Sequence, residues 1–350
     1  MNAPLRVALV GYGFVGKVFH APLIQATPGL VLHTVVSRDA GKVHADWPDV
    51  QVVGDPDAAF ADPAVDVVVI ASPNDSHAPL AMAALAQGKH VVVDKPFTVT
   101  LTEARDVVDA ARRAGRLVSV FQNRRWDGDF LTVQRLVGDG TLGRVAEFHS
   151  HFDRFRPVVQ DRWREQDAPG GGLWYDLGPH LIDQAVQLFG LPEAISVDIA
   201  RLRDGAQAPD YVHATLRYPS HRAHLHAGTL VAGNGLRFAV HGTRGSYLKH
   251  GLDVQEDQLR AGVVPGAPGW GVDTRAGERV HERGGRLVSE VAHAEVGDYR
   301  RYYAAFRDTV LQGTAPPVTP QQALDVMRLI ELGVRSSEER REQRVDVGAT

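Results

Sequence analysis

The sequence predicts an α/β fold, with an N-terminal Rossmann domain followed by an α+β domain built on a large, mostly antiparallel sheet. Three observations carry that prediction. Between residues 5 and 121 short β-branched runs alternate with helix-like segments, the order that generates parallel βαβ units. After residue 121 the runs alternate polar with apolar residues and are separated by turn signals, as antiparallel strands with one buried face require. The length of 350 residues fits two domains at roughly 150 residues each.

In chain order, the first domain reads as strands at residues 6–10, 30–36, 65–71, 90–93 and 117–121. Their runs lack alternation because a parallel sheet is covered by helices on both faces. Residues 16–27, 77–87 and 102–113 carry Ala and Leu at helical spacing, with Gly88 and Gly115 as stops and Thr100 or Thr102 as caps. Beyond residue 121, strands are expected at 143–156, 194–202, 212–218, 223–231, 237–241 and 246–249. Helices are expected at 177–189, 298–312 and 320–341, an exposed Gly/Pro-rich loop at 261–285 and a solvated charge run beyond Glu338. These elements divide into residues 1–122, for cofactor binding, and 123–350, for substrate binding and oligomerisation. The C-terminal helices are free to pack back on the first domain.

Composition excludes several function classes. A net charge of −4 and a pI near 6.5 supply no basic field for nucleic acid or an anionic membrane surface. The chain has no cysteine, so disulfides, thiolate metal sites and cysteine nucleophiles are excluded. Its apolar runs fall far short of the roughly 18 residues of a membrane helix. A strand-like run begins at residue 5, which leaves no space for a signal peptide. A cytoplasmic protein acting on a small molecule is therefore expected, with chemistry drawn from His, Lys, Asp and Tyr.

Gly11-Tyr12-Gly13-Phe14-Val15-Gly16 lies directly between the first strand and a helix. That context makes G-x-G-x-x-G informative, because close backbone approach and the helix N-terminus together favour a pyrophosphate. The second strand ends at Val36 and is followed by Ser37-Arg38. A hydroxyl and a guanidinium suit a 2′-phosphate, so NADP is favoured over NAD. Asp39 either caps the next helix or, shifted in register, serves NAD. Ligands in such sheets lie outside the strands' carboxyl ends, which brings Ser72, Pro73, Asn74 and His77 to the cofactor. The same edge receives Asp94, Lys95 and Pro96. Asp176 and His180 are four residues apart, on one face of a helix entrance, preceded by Gly170-Gly171-Gly172.

With these motifs in place the chain resembles the glucose–fructose oxidoreductase/inositol dehydrogenase (Gfo/Idh/MocA) family. The resemblance rests on the G-x-G-x-x-G of residues 11–16, the D-K-P of 94–96 in place of the commoner E-K-P, and the G-G-G-L-x-x-D-x-G-x-H of 170–180. Residues 11–23, 123–130 and 151–157 further resemble the subgroup of NADP-dependent scyllo-inositol dehydrogenases. The resemblance implies a Rossmann domain, a sheet-rich domain that carries substrate and builds oligomers, and Lys95, Asp176 and His180 as the catalytic set.

The residue types suit alcohol oxidation. An unperturbed imidazole titrates near neutrality, so His180 is the candidate acid/base, with Lys95 to stabilise a developing alkoxide and Asp176 to orient a polyol; the roles of His180 and Lys95 are exchangeable. Asn123, Arg154 and Trp163 are candidate contacts to a polyhydroxylated ring. An NADP(H)-dependent oxidoreductase of a cyclic polyol or sugar is expected, inositol-like ahead of glucose-like. The alternatives are a non-catalytic dinucleotide sensor and a dihydrodiol- or imine-type oxidoreductase. His149 with His151, and His224 with His226, each form a one-faced pair, but neither pair has a visible third ligand, so no metal is expected. Apolar residues on both parities of 212–218 and 236–247 predict an exposed apolar sheet face, hence a homodimer or homotetramer.

Overall fold

The computed structural model of the protein describes residues 3–161, 165–233 and 235–346. The chain folds into two compact units. The first comprises residues 1–123, 255–270 and 298–327; the second comprises residues 124–254, 271–297 and 328–350.

The first unit carries a parallel six-stranded sheet of order β3-β2-β1-β4-β5-β6. Its strands are β1 Leu5–Val10, β2 Leu30–Val36, β3 Gln51–Val53, β4 Val67–Ile70, β5 His90–Val93 and β6 Val118–Val120. Of the five strands read from the sequence, β1, β4, β5 and β6 are buried through their centres, so the absence of alternation reports burial on both faces. After β1 a π-turn, Gly16–His20, leads into α1 Ala21–Gln25. The short α2 Ala40–His44 and α3 Pro56–Ala61 follow β2 and β3, and α4 His77–Ala86 follows β4. The next helix, α5 Leu101–Ala114, opens on a capping box. Thr100 Oγ1 accepts from the Glu103 amide at 3.2 Å while the Glu103 carboxylate accepts from the Thr100 amide at 3.0 Å. Thr100 is therefore the cap.

The second unit carries a nine-stranded sheet of order β14-β13-β12-β11-β7-β10-β9-β8-β15. These are β7 Val145–Asp153, β8 Ala194–Ala200, β9 Tyr211–Arg217, β10 Arg222–Gly228, β11 Leu236–Gly242, β12 Gly245–His250, β13 Gly277–Arg283, β14 Arg286–Ala292 and β15 Gln343–Arg344. All pairings are antiparallel except that of β10 with β7. The stretch expected to be a loop at 261–285 includes β13, which forms a hairpin with β14 across Gly284-Gly285, both in the left-handed region. Charged residues on both parities hide that hairpin from a hydrophobic pattern. The remaining helices are α6 Gly128–Gly138, α7 Gly172–Phe189, α8 Gln255–Arg260, α9 Arg300–Gln312 and α10 Pro320–Glu339. Among the described residues no helix is long and apolar enough to cross a membrane.

One face of this sheet is the second unit's core: Phe148, Phe152, Val212, Ala214, Leu216, Leu225, Phe238 and Tyr247 are all fully buried. The opposite face is not the apolar surface the sequence suggests. On β9 the outward residues are Tyr211, His213, Thr215 and Arg217, all half-buried. Around them the same face carries His149, His151, His224, His226 and His241, with ring centroids of His149 and His224 4.7 Å apart. Partial burial, together with neighbouring imidazoles, holds His213 and His224 below their ordinary titration range.

Candidate active site

The Gly-rich turn is built by two glycines that can be nothing else. Gly11 sits at φ +96°, and a Cβ there would meet the Ala71 carbonyl oxygen at 2.6 Å; a Cβ on Gly16 would lie 2.1 Å from the Gly11 carbonyl oxygen. These contacts seat the turn on β4 and close it on itself. Gly13 differs: it is exposed and a Cβ there would meet nothing within 4 Å. Open backbone thus stands at a helix N-terminus, a cradle that fits a pyrophosphate.

The side chains of this turn divide in role. The Tyr12 hydroxyl donates to Asp46 at 2.8 Å, and the ring is buried; burial and the Asp46 carboxylate both raise its pKa. The Tyr12 backbone carbonyl accepts from Lys42 Nζ at 3.0 Å. Phe14 stands exposed, with the Arg260 guanidinium 4.4 Å from its ring centroid. Val15 continues into the helix. Lys42 was not singled out from sequence because its tie to the turn crosses thirty residues.

At the end of β2, Arg38 is exposed. The Asp39 carboxylate accepts from the Lys42 amide at 2.9 Å and caps α2, while the Ser37 hydroxyl accepts from the Asp39 amide at 3.1 Å. Asp39 is thereby engaged with its own helix, although it is itself exposed, and Arg38 adds an exposed guanidinium at this strand end.

Ser72, Pro73 and Asn74 follow β4. The Ser72 and Ser76 hydroxyls lie 2.6 Å apart, and the buried His77 ring places Nε2 3.0 Å from the Ser72 carbonyl and Nδ1 2.9 Å from that of Pro96. His77 therefore ties the loop after β4 to the loop after β5, a positioning role. Lys95 occupies the β5 loop, joined to Pro96 by a cis peptide bond. Behind it Asp94 is 5% exposed, with His20 Nε2 at 3.6 Å, and His20 Nδ1 lies 2.6 Å from the Tyr303 hydroxyl. Burial alone would raise the Asp94 carboxyl, but His20, Lys95 and His77 outweigh it and hold the group below its usual range. A cavity of about 480 Å³ in this unit is lined by Tyr12, Lys17, Trp47, Leu259 and Val263. Ser37, Arg38, Ser72 and Lys95 are not among its lining residues, whereas Tyr12 of the Gly-rich turn is.

In the second unit, α7 begins at Gly172, five residues before the start expected from the pattern, so Asp176 and His180 lie inside a formed helix. With Asp183 and Gln184 they occupy positions i, i+4, i+7 and i+8, one stripe of the helix. The lower end of that stripe is locked. Arg125 donates to Asp183 at 2.8 and 2.6 Å, both side chains being buried, while Gln184 donates to the Arg124 carbonyl and accepts from Arg237. Removing one partner of such a buried pair costs about 3–5 kcal/mol. The far side of the helix is held by the Trp174 indole, which donates to the Ile330 carbonyl at 2.9 Å. This fixes the rotation of α7, so that Asp176 is half-buried and His180 is 4% exposed, 6.3 Å from the Phe152 ring.

The structure brings Asp176 and His180 together on one helix and puts Lys95 in the other unit. Asn123 is buried at the end of the first unit, and Arg154 is half-buried just past β7. Trp163 lies outside the described residues.

Residues 5–122 match the Gfo/Idh/MocA family model described as oxidoreductase family, NAD-binding Rossmann fold, and residues 134–347 match its companion, oxidoreductase family, C-terminal alpha/beta domain. The chain is 54% identical over 340 residues to the uncharacterized oxidoreductase YdgJ of Escherichia coli (strain K12), covering 97% of this chain and 98% of that one. It is 38% identical over 339 residues to the scyllo-inositol 2-dehydrogenase (NADP(+)) IolW of Bacillus subtilis (strain 168), covering 96% and 95% respectively. The solved structure of YPO2259 from Yersinia pestis is similar with a TM-score of 0.96 and 51% identity, covering 100% of this chain and 99% of that one.

Proposed function

The chain belongs to the Gfo/Idh/MocA family of oxidoreductases, and from that premise we propose an NADP(H)-dependent dehydrogenase that interconverts a secondary alcohol and a ketone on a cyclic polyol or sugar, inositol-like first, in the cytoplasm. The observation that carries the cofactor choice is the end of β2, where Asp39 caps its helix and Arg38 stands exposed. A guanidinium there complements a 2′-phosphate with charge-assisted bidentate hydrogen bonds, whereas to a bare ribose hydroxyl pair it offers only weaker hydrogen bonds to neutral oxygens. The relative named as an NADP(+)-dependent scyllo-inositol dehydrogenase supports both cofactor and substrate class.

In this reading a bound nicotinamide would supply the acceptor for the hydride on the alcohol carbon. His180 accepts the hydroxyl proton, Lys95 hydrogen-bonds the same oxygen as it gains charge, and Asp176 holds the neighbouring hydroxyls. The exchanged assignment, with Lys95 as the base, uses the same atoms. Gly13 and its neighbours hold the pyrophosphate, and Ser72, Pro73 and Asn74 border the cofactor. Asn123, Arg154 and Trp163 are proposed contacts to the ring.

Purified protein with NADP and a panel of inositols and sugars should accumulate reduced nicotinamide on at least one cyclic polyol. Arg38→Ala should weaken NADP binding by an order of magnitude or more while changing NAD binding little, as loss of a charged hydrogen bond of roughly 1.5–3 kcal/mol implies. Equal affinity of the unaltered protein for NADP and NAD would overturn the cofactor assignment.

A further inference from the structure

Six of the sixteen histidines, His149, His151, His213, His224, His226 and His241, share the outer face of the nine-stranded sheet. The expectation of no metal rested on each histidine pair lacking a third ligand. Strand pairing supplies it. β7 and β10 run side by side with His149 opposite His224 and His151 opposite His226, so each sequence pair is split and recombined across strands. Alternation along β7 then adds a carboxylate two residues away on the same face: Glu147 beside His149, and Asp153 beside His151. The donor atoms of Glu147, His149 and His224 lie within 4.8 Å of one another, as do those of His151, Asp153 and His226.

We propose that this face binds a divalent transition-metal ion of the zinc type, held by His151 Nδ1, the Asp153 carboxylate and His226 Nε2, with Glu147, His149 and His224 forming a second, adjoining site.

The first triad is the better built. The Asp153 side chain is 7% exposed, and its two oxygens face different imidazoles, Oδ2 3.1 Å from His151 Nδ1 and Oδ1 3.3 Å from His226 Nε2. A carboxylate and two neutral imidazoles form a three-ligand set that leaves water to complete a tetrahedron, and this borderline-soft mixture suits zinc, cobalt or nickel ahead of magnesium or calcium. Gly228 stands opposite Asp153 in the ladder, and the position its missing Cβ would take lies 3.4 Å from His226 Nε2, 3.6 Å from Val231 Cγ2 and 3.7 Å from Asp153 Oδ1, so no side chain stands there against the donors. The second triad has an outer-shell anchor: His224 Nδ1 lies 3.2 Å from the Thr215 hydroxyl, which orients the ring and leaves Nε2 for the ion. Neighbouring parallel strands hold the ligands at a spacing of about 4.8 Å between chains, so the donors need little rearrangement on binding.

The alternative is a set of Asp–His ion pairs with no affinity for metal, and titration separates the two. Full-length protein without an affinity tag, stripped with a chelator, is titrated with cobalt(II) chloride, then zinc chloride. The expected result is a visible cobalt absorption band that zinc displaces. His226→Ala should weaken the first binding step by at least the roughly 10–100-fold that even an outer-shell loss costs, and His224→Ala should weaken the second. Far-ultraviolet circular dichroism should remain unchanged in both variants. The absence of a cobalt band in the unaltered protein would overturn the proposal without recourse to any variant. Zinc affinity that His226→Ala leaves unchanged would overturn it as well.

Discussion

Asp94 shows how a single carboxyl is tuned by its surroundings. It is buried, but His20, Lys95 and His77 hold it below the ordinary carboxylate range. The unfolded chain therefore binds this proton more readily than the folded one. The stability the group contributes is present above the ordinary range, near pH 4, and is lost as pH falls through its lower folded value. Asp94→Asn should lower the melting temperature most at pH 7, with the gap from the unaltered protein closing toward pH 3. A gap constant with pH would remove the ion-pair explanation. The proposed catalytic roles are tested by turnover: Lys95→Ala and His180→Ala should each lose roughly 10²-fold or more in kcat with cofactor affinity nearly intact, as groups acting in the transition state do. Loss of cofactor binding in Lys95→Ala would instead make that lysine a ribose ligand. Lys95, Asp176 and His180 stand out as candidates in the sequence because each sits in a local motif. Gln184 and Arg237, which fix the stripe beneath His180, do not, because their hydrogen bond spans 53 residues.

At the scale of elements, the difference between a cap and a ligand is measurable. Asp39 closes α2 by accepting from the Lys42 amide, and α2 is only five residues long, so its cap is a large share of what holds it. Asp39→Ala should cost about 1 kcal/mol of stability and leave the NADP-to-NAD affinity ratio unchanged, whereas Asp39→Asn, itself a good cap, should restore the melting temperature. A shift toward NADP in both variants would show instead that the carboxylate repels the 2′-phosphate. Elements with a strong pattern read true from sequence: the apolar centres of β1, β4 and β5, and α5 with its capping box and Gly115 stop. Those that went unread share one property. β3 is a three-residue strand with no fully buried side chain, and β13–β14 keep nearly all side chains at least partly exposed. Hydrophobic periodicity records burial, so an element that buries little leaves no periodic trace.

For the whole molecule, the sequence pointed to self-association for one reason and the structure offers others. The outer face of the second unit's sheet is imidazole-rich, because Val212, Leu216 and Tyr218 all turn into the core. What remains available is the sheet's end: β14 is an edge strand, with Leu287 78% and Val291 68% exposed beside unpaired backbone groups. Long exposed edges of this kind pair with another chain unless they are covered, and a twofold arrangement closes such contacts without leaving a further edge. The broad face beside that edge carries half-buried His, Tyr and Thr, the amphipathic composition that protein interfaces tolerate. We therefore propose a homodimer able to pair into a tetramer. Light scattering at micromolar protein, with a chelator present so that no metal bridges the chains, should give twice the 38.1 kDa chain mass for the dimer or four times for the tetramer. A single species at 38.1 kDa would overturn self-association. If the edge is the contact, Leu287→Glu should drive the assembly to monomer while leaving cofactor binding unchanged, since it replaces an apolar contact with two carboxylates brought toward each other, each with a desolvation penalty.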